Sequence, residues 1–126
     1  MSVLLRLSAV VSLAWAGLLL ALKDQALSAE QLSPLVRALA NGLGIANVVL
    51  AYVFWYAARA PAANRGAVYG AIMLMVFKTA NDLYEMLVLL PADRALVSLA
   101  DLVLSVGLLV GLLEALPRML AAQPKS

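Results

Sequence analysis

Cysteine and histidine are both absent from the sequence. That excludes disulfides, thiolate chemistry, imidazole metal sites, haem ligation by histidine and histidine acid–base catalysis. Charge is scarce too: Asp, Glu, Lys and Arg make up 13% of the 126 residues, against roughly 25% in an average soluble domain. The formal net charge is +2, and its Lys and Arg residues form no basic stripe that would grip phosphates, so no nucleic-acid partner is expected. What fills the chain instead is apolar: 65% of residues are hydrophobic and the mean hydropathy is +0.98. Composition therefore predicts an integral membrane protein, and the length allows a single domain with no separate soluble module.

Four apolar runs succeed one another, at about 3–22, 34–59, 66–90 and 94–116, each near the roughly 20 residues that a helix needs to cross a bilayer. The first also has the basic start, apolar run and small-residue site (Ala26-Leu27-Ser28) of a signal peptide, but its apolar stretch is long for one, and a retained helix is expected. Ser8, Ser12 and Ala16 give it a small-residue ridge for close helix approach. Ser33-Pro34 supplies a cap and then proline at the first helical position of the second run. Tyr52, Phe54, Trp55 and Tyr56 read as an interfacial aromatic belt at its end. Pro91-Ala92-Asp93 is a very short turn with Asp93 as the cap of the fourth helix, so the third and fourth runs form an antiparallel hairpin. Pro117 is expected to stop or bend the fourth. The expected fold is an all-α, four-helix, up-down-up-down membrane bundle with short loops.

The third run breaks its own apolar character. Lys78, Asn81, Asp82 and Glu85 fall at spacings of three and four, on one helical face. A charge near the bilayer centre costs about 2.5–3.5 kcal/mol on insertion scales, so the rest of the chain must hide or pair this stripe. Asp82 lies eight residues before Leu90, and Asp101 eight after Asp93. Across a hairpin with about 1.5 Å of rise per residue, the two carboxylates reach similar depth. Asn41 of the second run falls near that depth, with Arg37 a turn away on the same face. Arg94, Ser98, Asp101 and Ser105 make a polar stripe on the fourth run. Gly66 and Gly70 face the depth of Gly107 and Gly111, two GxxxG motifs that serve either to pack the hairpin arms together or to seat a second copy. The hairpin seam is the expected use.

Two readings compete for the stripe. A paired network, for instance Lys78 with Asp82 one turn on, holds helices together and does nothing else. An ion or proton pathway is the default for ionisable residues inside a membrane. Among the buried charges, Arg37 and Lys78 offset two of three carboxylates, leaving one over. An aspartyl-protease dyad would need the Gly-x-Gly-Asp pattern, which neither Asp82 nor Asp101 carries, and no enzyme activity is expected. The sequence thus points to a small transporter or channel-like protein moving protons, ions or a small solute through a polar chamber in the outer half of the membrane. Its pathway residues are Lys78, Asn81, Asp82, Glu85, Asp101 and Asn41, with Arg37 and Arg94 at the outer mouth. The alternative is an accessory subunit of a larger membrane complex whose stripe docks a partner helix. No cofactor or metal is expected, and the partners are the lipid bilayer and a second copy or a membrane subunit. Arg6, Arg59, Arg65, Arg118 and Lys125 lie on one side and Lys23, Arg37 and Arg94 on the other, which favours cytoplasmic termini in a bacterial inner membrane.

Overall fold

The computed structural model describes residues 1–21, 33–89 and 95–122. Four long helices account for most of them: α1 (Ser2–Leu20), α2 (Pro34–Ala57), α3 (Arg65–Tyr84) and α4 (Ala95–Ala121), with a 3-10 turn at Pro61–Ala63 and a π-helical segment at Glu85–Leu89. Among the described residues there is no strand. The loop residues from Lys23 onward, the 91–93 turn with its Asp93 cap, Arg94 and Lys125 lie outside the described residues.

Each boundary has a local cause. Ser33 is extended, and its hydroxyl accepts from the Val36 N–H at 3.2 Å, while Pro34 at the first position gives up an N–H that would have had no helical partner. The second connection tightens through bonds from Ala63 and Asn64 N–H to the Ala60 carbonyl, and the Asn64 amide donates to the same carbonyl at 2.9 Å. The third helix departs from expectation: its α-helical part closes at Tyr84, and a π turn carries the chain from Glu85 to Leu89. The fourth departs as well. Pro117 lies inside α4, which continues to Ala121 instead of stopping at residue 116.

Helix α1 packs chiefly along α2, and α3 along α4; contacts between these two pairs are fewer. The core is built from small and compact side chains: Leu5, Ala9, Ala51, Ala57, Val68, Ala71, Met75 and Leu112 are buried. Ser8, Ser12 and Ala16 are buried as their spacing implies. Phe54 is a correction. It belongs to the core, 1% exposed, whereas Tyr52, Trp55 and Tyr56 of the expected belt face outward. The reason is phase, since Phe54 continues the inward face of Ala40, Gly44, Asn47 and Ala51.

Large apolar side chains are exposed along every helix, among them Leu35, Tyr52, Met73, Phe77, Leu96 and Val103. A surface of that kind suits acyl chains, not water. Three helical stretches, Ser2–Leu20, Pro34–Ala57 and Ser98–Ala121, are long and apolar enough to cross a membrane, and the protein is therefore read as a membrane protein. The stripe-bearing α3 is not among the three.

Candidate functional site

The polar face of α3 turns inward against α4 and α1. Asp82 and Asp101 are 3% and 5% exposed, and Ser98 and Ser105 are buried beside them. The Lys78 ammonium donates to Asp101 Oδ2 at 2.7 Å, an ion pair between α3 and α4. Trp15 Nε1–H of α1 donates to the other oxygen, Asp101 Oδ1, at 2.8 Å. The same ammonium lies 4.6 Å from the centroid of the Trp15 ring, within cation–π range. One carboxylate thus joins three helices, and both its oxygens are occupied.

Glu85 is held differently. Its Oε1 accepts from the Asn81 amide at 2.9 Å, and its Oε2 from the Ser98 hydroxyl at 2.9 Å. Glu85 is also the first residue of the π turn. A π turn offsets the helical phase of the residues beyond it, a device common at functional sites.

Asp82 stands apart. Its charged neighbours are Asp101, Lys78 and Glu85, with the Asp101 carboxyl within hydrogen-bonding reach, yet Oδ2 is buried and receives no hydrogen bond from a donor. Buried polar atoms left in this condition are uncommon and costly, and each calls for an explanation. Here the neighbouring groups supply one cation for three carboxylates, and that cation is already bound to Asp101.

These groups line a cavity of ≈ 420 Å³. Trp15 and Leu19 come from α1, Leu43 and Asn47 from α2, Leu74, Phe77, Lys78, Asn81 and Asp82 from α3, with Glu85 and Asp101 completing the wall. Asn47 donates to the Leu43 carbonyl of its own helix at 2.9 Å. Leu43 and Phe77 are exposed and form a rim between α2 and α3. Among the described residues, no three acidic side chains converge to ligate a metal ion.

Of the expected pathway residues, Lys78, Asn81, Asp82, Glu85 and Asp101 are brought together. Asn41 is not: it is exposed and absent from the lining, because the inward face of α2 runs through Ala40, Gly44 and Asn47. Arg37 is likewise exposed on α2 and outside the lining, and Arg94 lies outside the described residues. Lys78, which could have paired with Asp82 one turn on, bonds across helices to Asp101. The glycine seam is corrected as well. A Cβ at Gly66, Gly70 or Gly107 would meet nothing within 4 Å, so these glycines do not seat the hairpin arms against each other. A Cβ at Gly111 would lie 2.9 Å from Leu4 Cδ2, placing that glycine against α1. Trp15 is the chief addition to the site. Its signal in the sequence is an indole N–H in an apolar helix, which needs an acceptor, on the same side as Ser8 and Ser12. No protein-family model, curated protein or solved structure matches the chain.

Proposed function

We propose that this chain is a small transporter or channel-like membrane protein in which Asp82 takes up the moving species, a proton, an ion or a small solute. One observation carries the reading: a buried carboxylate with an unpartnered oxygen lines a cavity whose lysine, Lys78, is bound to another acid. An ionisable group kept at such cost within a membrane helix is a functional group by default. In this reading Lys78, Trp15 and Asp101 set the shape and charge of the chamber, while Asn81 and Ser98 hold Glu85 at its wall.

The membrane arrangement belongs to the same proposal. All four helices span as an up-down-up-down bundle, α3 hiding its polar face inside, and the protein works as a homo-oligomer in a bacterial inner membrane with both termini cytoplasmic. A second cavity supports this topology: Met1, Pro61, Ala62, Ala115 and Arg118 line it together, so the start of α1, the second connection and the end of α4 share one end.

Reconstitution tests the function. In liposomes holding a pH-sensitive dye, a potassium diffusion potential should drive proton uptake through the protein. Asp82→Asn should abolish that uptake while eluting and melting as the parent does. Equal uptake by the two would remove Asp82 from any pathway. An accessory-subunit role is the second reading, favoured by the open faces at Gly66, Gly70 and Gly107, which leave room for another helix. It predicts recovery from native membranes in a larger complex of fixed stoichiometry.

A further inference from the structure

Charge, shape and wall chemistry at the Asp82 cavity narrow what it takes. Asp101 is satisfied by Lys78 and Trp15, and Glu85 by Asn81 and Ser98. Of the three acids, Asp82 keeps an oxygen without a donor. Asp82 is itself part of the cavity wall, so a cation in the cavity would stand beside three acids that have one ammonium between them. The site therefore asks for one positive charge with N–H or O–H donors.

A hard metal ion does not answer that request. Such ions gather six or more oxygens, and among the described residues no three acidic side chains form a group that could hold one. A proton satisfies Asp82 but leaves the space. At ≈ 420 Å³ the cavity falls in the range of small-molecule sites, and Leu19, Leu43, Leu74 and Phe77 give it apolar wall beside the carboxylates. Its rim, Leu43 and Phe77, lies between α2 and α3, which belong to the two different helix pairs. In a bilayer that flank meets acyl chains.

We propose that the cavity binds a primary organic ammonium ion with an apolar tail, the ammonium donating to Asp82 and the tail lying against Leu43, Leu74 and Phe77. The ligand enters from the lipid through the rim between α2 and α3. This deepens the transport reading by naming its substrate class, and it rests on that reading only for movement, not for binding.

The chain has two tryptophans, and Trp55 lies outside the cavity, under Arg6. Trp55→Phe therefore leaves Trp15 as a single reporter in the cavity wall. Hexylammonium titrated into this protein in detergent should change Trp15 emission saturably and raise the melting temperature. Adding Asp82→Asn should weaken binding by at least about tenfold, the scale of one hydrogen bond to a charged group. Hexanol, which has the tail without the charge, should give no saturable change. Leu74→Trp, read by the melting shift, should block hexylammonium with Asp82 intact, which covers the case of an unfolded Asp82 variant. Equal binding to parent and Asp82→Asn, or hexanol matching hexylammonium, overturns the proposal. Asp82-dependent proton uptake with no response to the amine also overturns it and leaves the transport reading standing. Asp82-dependent amine binding without flux of radiolabelled hexylammonium or protons supports the site and removes transport instead.

Discussion

Lys78 of α3 reaches across to Asp101 of α4, 2.7 Å away, although Asp82 lies one turn along its own helix. The choice makes the ion pair a bond between helices. Asp101 is 6% exposed at its side chain and Lys78 19%, so neither charge has enough water to stand alone. Removing one partner of such a pair costs about 3–5 kcal/mol, because the other is left buried and uncompensated. Lys78→Met should therefore lower stability by about 3 kcal/mol in detergent unfolding. The double variant with Asp101→Asn should recover most of the loss. A double variant no more stable than Lys78→Met would mean that the pair is not what Lys78 contributes.

Trp15 holds the same carboxylate from α1. Hydrogen bonds between membrane helices contribute about 0.6 kcal/mol on average and up to about 1.7. Trp15→Phe keeps a smaller ring beneath Lys78 and loses the N–H. Its expected cost is about 1 kcal/mol, and it should shrink towards zero in the Asp101→Asn background, where the charged acceptor is gone. Unfolding measured on the four proteins of that cycle gives the coupling directly. Strictly additive losses would separate Trp15 from Asp101 energetically.

The stripe on α3 could be read from spacing alone, since Lys78, Asp82 and Glu85 recur at three and four residues. Asp101 could be matched to it by counting along two helices from one turn, and both acids line one cavity. The second helix shows where such reading runs out. In a soluble helix the buried face is the apolar one, but a membrane helix is apolar on both its core and its lipid sides. Asn41 and Asn47 then look alike in the sequence, and only packing distinguishes Asn47 at the cavity wall from Asn41 outside it. The same loss of contrast hid Phe54 among outward-facing aromatics. The GxxxG pairs failed as a guide to partner for a related reason: small residues permit close approach but do not choose what approaches. Nothing in Glu85-Met-Leu-Val-Leu89 announced a π turn, and that segment packs against both α3 and α4.

The glycines give a prediction with opposite signs. An alanine is favoured over glycine in a helix interior by roughly 0.5–1 kcal/mol where its methyl is free. A Cβ at Gly107 meets nothing within 4 Å, whereas one at Gly44 would lie 2.5 Å from Leu20 Cγ and 2.7 Å from its Cδ2. Gly107→Ala should thus hold or raise the melting temperature of the purified protein. Gly44→Ala should lower stability by about 1–3 kcal/mol, as overpacking does, since Leu20 must move off α2. Relief by Leu20→Ala in the same protein would locate the clash. A destabilising Gly107→Ala would instead point to a helix from another copy seated on that face.

Ser105 lies one turn beyond Asp101 on α4, fully buried, and its hydroxyl has no hydrogen-bond partner. Ser8 and Thr79, by contrast, return their hydroxyls to the carbonyl four residues back, Leu4 and Met75. An orphan hydroxyl is a burden on stability, and replacing it with hydrogen, as alanine does, is expected to be neutral or to stabilise by about 1 kcal/mol. On the transport reading the same hydroxyl continues the polar line from Asp101 past the cavity, where a bound water or a passing proton would use it. Stability and flux should therefore part company in Ser105→Ala: melting unchanged or higher, proton uptake in liposomes reduced. Ser105→Thr, which keeps a hydroxyl and tightens the packing, should retain more uptake than alanine despite the larger side chain. If alanine melts higher and conducts as well as the parent, the polar line ends at Asp101, and any passage to the other side of the membrane must run elsewhere.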